Sequence, residues 1–338
     1  MHRFQKIKRN SFYMGKNLYI DASHPNETRI VLKSDNSIEE YEFEDKNNLN
    51  FKNNIYLGTV SRVEPSLQAA FVNFGRERHG FLAFNDIQSD YYQVPFEDKE
   101  RIKIAEEKIR EDLKNKTLNI SSDNNNVENS KPLNTENNKE TENNNTDELE
   151  KKDFREEVKS SFGIKRYKIQ EVIKPGQVVL IQVTKEERGQ KGAALTTFIS
   201  LAGKYIVLMP NTPKGGGISR KIFNTLDRQK IRNILNEINI PKSMGVIVRT
   251  AGANKTRNEI EKDFEGTLKT WDSIKEKALD SNAPSLVYEE GDIIKRTLRD
   301  IYDNDTKNIY IEGNEAYQKA KKFMKELMPK KCKKYKKI

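Results

Sequence analysis

The segment AAFVNFGRERHGFL, residues 69–82, carries residue types that bind nucleic acid. Alternation places Phe71 on one face of a predicted strand, a basic turn with Arg76 and Arg78 follows, and Phe81 opens the next strand. Bases stack on aromatic rings while arginines bind the phosphates, which suits a single-stranded nucleic acid. The alternative is that one or both phenylalanines simply fill a hydrophobic core.

A second candidate is the segment GVIVRTAGANK, residues 245–255, where Arg249 and Thr250 stand at the end of a predicted strand. A guanidinium group and a hydroxyl at a strand end suit a terminal phosphate, although a surface arginine in a salt bridge fits the spacing equally well. The glycine-rich PNTPKGGGISR, residues 210–220, does not match the phosphate-cradling Gly-x-x-x-x-Gly-Lys-Ser/Thr pattern, so nucleotide hydrolysis is not supported.

The elements that position these residues predict a small barrel. Strands are expected at residues 54–63, 69–74 and 79–84, and a fourth at 177–183 follows a long interruption. The other predicted elements are paired strands at 17–21 and 28–33, helices at 98–113, 225–238, 258–278, 292–302 and 314–327, and strands at 204–209, 245–250 and 308–311.

Charge and composition narrow the class of protein. The 338 residues suggest two or three domains, and the net charge is +10. Residues 117–150 are rich in asparagine and carry a net −6, which leaves +16 on the rest and favours a polyanionic partner. We expect this tract to be a solvated insertion, with an assembly element as the alternative.

Cysteine and hydropathy exclude further classes. The single cysteine, Cys332, excludes an intramolecular disulfide framework and a zinc site made of several thiolates. Apolar runs fall far short of the roughly 18 residues of a membrane-spanning helix, and the basic N-terminus lacks the apolar stretch of a secretory signal. A cytoplasmic protein without a membrane span is therefore expected.

Four strings of sequence together resemble the N-terminal half of the ribonuclease E/G family. They are NIYLGTVSRVEPSLQAAFVNFGRERHGFL, KEERGQKGAALTTFISLAGKYIVLMPN, GGGISRKI and GVIVRTAG. The resemblance implies an α+β multidomain fold with an OB-fold RNA-binding barrel, an α/β 5′-sensor domain and an incomplete ribonuclease-H-like subdomain. Its expected ranges are an extension at 1–14, the subdomain at 15–50 and 293–338, the barrel at 51–197 with an insertion at about 114–160, and the sensor at 198–292.

The resemblance also implies roles for particular residues. Phe71, Phe81 and Lys191 match the residues that grip the RNA strand in the family. Gly203, Val207, Arg249 and Thr250 match the pocket that favours a 5′ monophosphate, with Arg220 as a further member. The expected partner is single-stranded RNA, preferably with a 5′ monophosphate, and the protein would act in RNA processing and decay.

The family's Mg²⁺-dependent endoribonuclease activity belongs to a DNase-I-like module, and a structural zinc joins two subunits of the complete enzyme. The chain stops at Ile338, before the carboxylates that hold Mg²⁺, so we expect neither ion, nor RNA cleavage, in residues 1–338. The open alternatives are a truncated or split enzyme, in a homo-oligomer or associated with a separate catalytic fragment, and a stand-alone, non-catalytic RNA-binding regulatory protein. Asp300, Asp303 and Asp305 are expected to be capping or solvated groups.

Overall fold

The structure is a computed structural model that describes residues 15–105, 107, 167–327 and 335–337, apart from 25, 35–36, 46–49, 190, 213–215, 242, 292 and 303–305. Its strands are β1 Lys16–Asp21, β2 Glu27–Lys33, β3 Ile38–Asp45, β4 Ile55–Glu64, β5 Ala69–Asn73, β6 Gly80–Ala83, β7 Val178–Lys185, β8 Ala194–Thr196, β9 Leu201–Ala202, β10 Ile206–Met209, β11 Gly217–Ile218, β12 Gly245–Val248, β13 Ser285–Tyr288, β14 Thr306–Glu312 and β15 Tyr335–Lys337. Its helices are α1 at residues 96–105, α2 Ile169–Val172, α3 Thr225–Glu237, α4 Arg257–Asp280, α5 Ile293–Asp300 and α6 Asn314–Leu327. The predicted insertion, residues 108–113 of the predicted first helix, Asp303, Asp305 and Cys332 lie outside the described residues.

The chain divides into two compact units, of which residues 52–289 form one. In this unit, β4, β5, β6, β8 and β7 follow one another around a closed barrel, because β7 pairs with β4 as well as with β8. Alternate side chains fill the interior, so the barrel is a packed core rather than an open channel. The largest buried side chains of the barrel include Ile55, Phe74, Leu82, Ile181 and Leu195.

A second sheet in the same unit has the strand order β11–β12–β10–β9. Helix α4 packs against it with Ile260 and Phe264, which are buried. Helix α4 begins at a capping box in which Thr256 and Glu259 satisfy each other's backbone N–H groups. The apolar period of four, four, three and three residues predicts this helix from the sequence, and the structure confirms it.

Asn211 joins the barrel to the second sheet. Its Nδ2 atom donates to Gln88 Oε1 at 2.9 Å and to the Thr197 carbonyl at 2.7 Å, and its Oδ1 atom accepts from Ile199 N at 2.9 Å. All three partners belong to the barrel or to the segment that leaves it. The two candidate sites therefore lie on one packed body.

The other unit contains residues 15–51 and 290–337 among the described ones. Its sheet has the order β15–β14–β1–β2–β3, in which β14 is parallel to both β1 and β15 and the other pairs are antiparallel. Helices α5 and α6 bury Leu298 and Met324 against Leu18 and Ile309 of the sheet. The predicted helices and strands of this unit are confirmed.

A buried ion pair lies in this second unit. The Arg299 guanidinium donates to the Glu290 carboxylate, and the two side chains are only 11% and 4% exposed. Arg299 also binds Asp300 at 2.8 Å. Among the three aspartates considered above, the described one thus pairs with an arginine.

Candidate nucleic-acid interface

Three side chains form a row across the outside of the barrel, which we call the aromatic row. Strand pairing sets Arg62 of β4 opposite Phe71 of β5, and Phe71 opposite Phe81 of β6. The two rings lie 6.0 Å apart between centroids at an interplanar angle of 74°, and the Arg62 Cζ atom is 4.5 Å from the centre of the Phe71 ring. The row combines aromatic surface with a cation that contacts it.

Both rings of the aromatic row are partly exposed, whereas their neighbours along the strand are not. Val72 and Phe74 point to the opposite face and are 0% and 1% exposed. The barrel core is therefore filled without Phe71 and Phe81. The alternation that predicts two faces for β5 is confirmed.

The predicted cations lie in two loops at one end of the barrel. Arg76 and Arg78 lie exposed in the loop between β5 and β6, and Lys191 lies exposed in the turn before β8. The Arg78 guanidinium donates to the Gly189 carbonyl, which ties these two loops together. The loop before β8 is itself closed by Arg188 and Lys191, whose backbones exchange hydrogen bonds at 3.1 Å in both directions.

Gly192 allows the two loops to meet. A Cβ atom at this position would overlap the carbonyl oxygen of His79 and lie 3.3 Å from its carbonyl carbon. One residue further on, the Ala193 carbonyl accepts from Phe81 N at 2.7 Å. The close approach that the sequence allows at Gly192 is thus made to the backbone of His79, and the next residue holds the backbone of Phe81.

The second group of candidate residues lies at the end of β12. Gly203 is buried in the turn of residues 203–206, which joins β9 to β10. The Arg249 side chain donates from Nη1 to the Gly203 carbonyl at 2.8 Å, and its backbone N–H donates to the Tyr205 carbonyl at 2.8 Å. Thr250 follows and is exposed, and Val207 is partly exposed on the adjacent strand β10. Four of the predicted pocket residues are therefore close together.

Arg220 lies in the loop that follows β11, on the far side of β12. The preceding residue, Ser219, donates its N–H to the Val248 carbonyl at 2.9 Å, next to Arg249. Arg228 of α3 stabilises this loop by donating to the carbonyls of Ser219 and Ile222, each at 3.2 Å. The exposed Arg220 thus lies beyond the end of β11, beside the end of β12 that carries Arg249.

Asp263 of α4 was not predicted from the sequence, although it holds the turn of residues 203–206. Its Oδ1 atom accepts from Lys204 N at 3.1 Å, and its Oδ2 atom accepts from Tyr205 N at 2.7 Å and from Ile206 N at 3.1 Å. Burial raises the pKa of Asp263 above its usual value, while the three N–H groups and the nearby Arg249 counteract that rise. A polar residue between Ile260 and Phe264 is the only sequence signal for it, and that signal is not specific.

Arg62 was likewise missed, because the pairing of β4 with β5 shifts register between Val60 and Arg62. Such an irregularity changes which side chains share a face, and alternation alone cannot place it.

The resemblance implies Mg²⁺ and zinc for the complete family enzyme. Within the described parts of the chain, no group of three or more His, Cys, Asp or Glu side chains could hold a metal ion. The described helices likewise include none that could cross a membrane.

Comparison with known proteins finds ribonucleases among the relatives of this chain. Residues 200–338 match the model of the Ribonuclease E/G family. Ribonuclease E of Haemophilus influenzae is 33% identical over 314 residues, which cover 93% of this chain and 26% of the relative. Ribonuclease E of Escherichia coli K12 is 33% identical over 92% of this chain and 23% of its own length, and ribonuclease G of Haemophilus influenzae is 28% identical over 90% of this chain and 49% of its own.

The chain spans about a quarter of the length of these ribonuclease E relatives. The matches nevertheless extend over both candidate sites and over most of the chain, well beyond the range that the family model covers. By sequence, the chain belongs to the Ribonuclease E/G family.

Proposed function

We propose that this chain binds single-stranded RNA on its barrel and recognises a 5′ monophosphate at the second sheet. In this role it is the RNA-binding and 5′-sensing part of a ribonuclease E/G-type endoribonuclease that acts in RNA processing and decay. The observation that carries the proposal is the aromatic row, whose two rings are partly exposed and contacted by Arg62 although the barrel core is complete without them.

The aromatic row offers what an unpaired RNA strand needs. Bases present flat apolar faces, and each base that stacks on an aromatic side chain contributes about 1–3 kcal/mol. The sugar–phosphate backbone follows the bases, so cations beside the rings bind phosphates. Arg76, Arg78 and Lys191, which are exposed in the two joined loops, are the cations proposed to bind these phosphates, and such contacts do not depend on the identity of the bases. The surface is therefore suited to single-stranded RNA of any sequence.

At the second sheet, the proposed ligand is the 5′ phosphate. Arg249 offers planar N–H donors, and the exposed Thr250 hydroxyl adds a further donor at the same strand end. Gly203 holds Arg249 through its carbonyl oxygen, and Val207 offers an apolar contact to the terminal nucleotide. A site that holds one phosphate excludes the longer triphosphate by its size, whereas charge alone favours the triphosphate.

The test of RNA binding is a titration of fluorescently labelled single-stranded RNA, followed by anisotropy at several salt concentrations. Phe71→Ala and Phe81→Ala should each weaken binding at least about five-fold, the loss expected for one stacked base. Phe96→Ala is the matched control, because Phe96 is 75% exposed and lies outside the row. Unchanged affinity in both row variants, or an equal loss in the control, would refute the barrel surface as the site.

The test of 5′ recognition compares three RNAs that differ only at the 5′ end: monophosphate, triphosphate and hydroxyl. The monophosphate should bind most tightly, and Arg249→Lys should remove most of that preference because a lysine cannot form the planar two-donor contact. Arg257→Lys, an exposed arginine that pairs with Glu237 at 3.0 Å, is the control. Affinities ranked simply by charge would contradict the proposed sensing.

A further inference from the structure

The turn of residues 203–206 is held from two sides. On one side, Asp263 accepts hydrogen bonds from three consecutive backbone N–H groups, those of Lys204, Tyr205 and Ile206. On the other side, Arg249 donates to the carbonyls of Gly203 and Tyr205. Asp263 therefore binds the N–H groups of this turn, and Arg249 binds its carbonyl groups.

Gly203 and the Asp263 carboxylate are in close contact at this turn. A Cβ atom on Gly203 would lie 2.6 Å from Asp263 Oδ2 and 3.0 Å from its Oδ1 and Cγ atoms, so the carboxylate fills the space where a side chain would stand. A displacement of the carboxylate must move the Gly203 peptide group, and the Arg249 guanidinium is bonded to that group. The orientation of Arg249 thus depends on Asp263 although the two residues lie on different elements.

Charge acts in the same direction as geometry. The guanidinium of Arg249 lies close enough to Asp263 to favour its ionised form, so the carboxylate in turn offsets part of the positive charge of Arg249. An additional phosphate on the ligand gains less from a site whose charge is partly offset. A triphosphate, which carries more negative charge than a monophosphate, is penalised most.

We propose that Asp263 is the positioning residue that gives this site its preference for a single 5′ phosphate, acting through the turn of residues 203–206 on Arg249. The inference rests on the proposed function of the site and adds a determinant that lies outside the phosphate contacts. Asp263 acts on the ligand only through its neighbours, because its two carboxylate oxygens are already bound to the turn.

The experiment uses the full chain and the three RNAs that differ at the 5′ end. Asp263→Asn keeps the size of the side chain, removes its charge and replaces one acceptor oxygen with a donor. The ratio of the triphosphate Kd to the monophosphate Kd should fall at least about three-fold, while the Kd of the 5′-hydroxyl RNA stays the same. If Asp263 only supported the fold, Asp263→Asn would weaken the binding of all three RNAs to the same extent.

Asp272→Asn is the matched control, because Asp272 lies on the same helix, is exposed and pairs with Lys275 at 2.9 Å. Gly203→Ala is the second variant, in case Asp263→Asn does not fold; its methyl group displaces the carboxylate without changing the charge, and it should also lower the ratio. Unchanged ratios in both variants would overturn the inference while the proposed sensing stands. Equal Kd values of the unsubstituted chain for all three RNAs would refute the sensing itself, and this inference with it.

Discussion

Gly192→Ala should open the barrel at the side where the aromatic row ends. The added methyl group would overlap the His79 carbonyl oxygen, a backbone atom that no change of rotamer can move away. The two strands must separate by about 1 Å, and the hydrogen bond from Phe81 N to the Ala193 carbonyl, now 2.7 Å, would then exceed the usual length.

The expected cost follows from these two changes. Forcing one methyl group into a packed site costs about 1–3 kcal/mol, and leaving a buried N–H group without its acceptor costs a further ~1–3 kcal/mol. The free energy of unfolding should therefore fall by about 2–6 kcal/mol. For a body of this size, each kcal/mol lowers Tm by roughly 2–4 °C.

Trp271 makes the measurement specific to this unit. It is the single tryptophan of the chain and lies on α4 within residues 52–289. Urea unfolding followed by tryptophan fluorescence thus reports on the unit that contains the barrel and the second sheet. RNA binding, measured on the same variant below its midpoint, should weaken as well because Phe81 is displaced.

Gly266→Ala is the same chemical change with the opposite expected sign. Gly266 lies in the middle of α4, and a Cβ atom there would meet nothing within 4 Å. Alanine is favoured over glycine inside a helix by about 1 kcal/mol, so this variant should be more stable than the unsubstituted chain. Equal stability of the unsubstituted chain and Gly192→Ala, or equal losses in the two variants, would refute the reasoning.

Three further predictions concern other parts of the chain. Arg299→Met removes the guanidinium that faces the buried Glu290 carboxylate, and hydrogen exchange in β1 and β14 should show a loss of about 3–5 kcal/mol. Deletion of residues 117–150 removes a net charge of −6; RNA titrations at low salt should show tighter binding, and urea unfolding should show little change because closure entropy varies only logarithmically with loop length. Burial raises the pKa of Asp263, so the folded chain holds this proton more tightly than the unfolded chain. The contribution of Asp263 to stability is therefore full below the usual aspartate range and is lost as the pH rises through its folded-state pKa. Urea unfolding should show the unsubstituted chain losing stability relative to Asp263→Asn over that range.

The barrel was predictable from the sequence because four of its strands are long enough to show alternation or a continuous apolar run. The fifth, β8, has only three residues, and no periodicity can be recognised over that length. Strand β3 was missed for another reason: IEEYEFED alternates acidic and apolar residues, and its composition is atypical of a strand. Long periodic helices such as α4 were predicted to within two residues at each end.

The residues of the two candidate sites likewise include some that the sequence predicted and some that it missed. Residue types and motif resemblance pointed to Phe71, Phe81 and Arg249, whose contacts the structure now describes. Arg62 and Asp263 depend on register and on tertiary packing, since one reaches its partner across a strand irregularity and the other across a helix–sheet contact. Such contacts join positions far apart in the chain and leave no local pattern.

The sheet order of the second unit, which contains residues 15–51 and 290–337, has a consequence for synthesis. Strand β1 lies between β2, which follows it at once, and β14, whose residue Asn308 is 291 positions away from Asn17. A ribosome that adds roughly 5–20 residues per second needs about 15–60 s to bring β14 out after β1. During that interval one edge of the nascent β1 hairpin remains open to other strands, while residues 52–289 are complete and free to fold. The unit whose strands are synthesised first is thus the unit that is completed last. Chaperones that bind open strand edges would therefore bind near the N-terminus of the nascent chain.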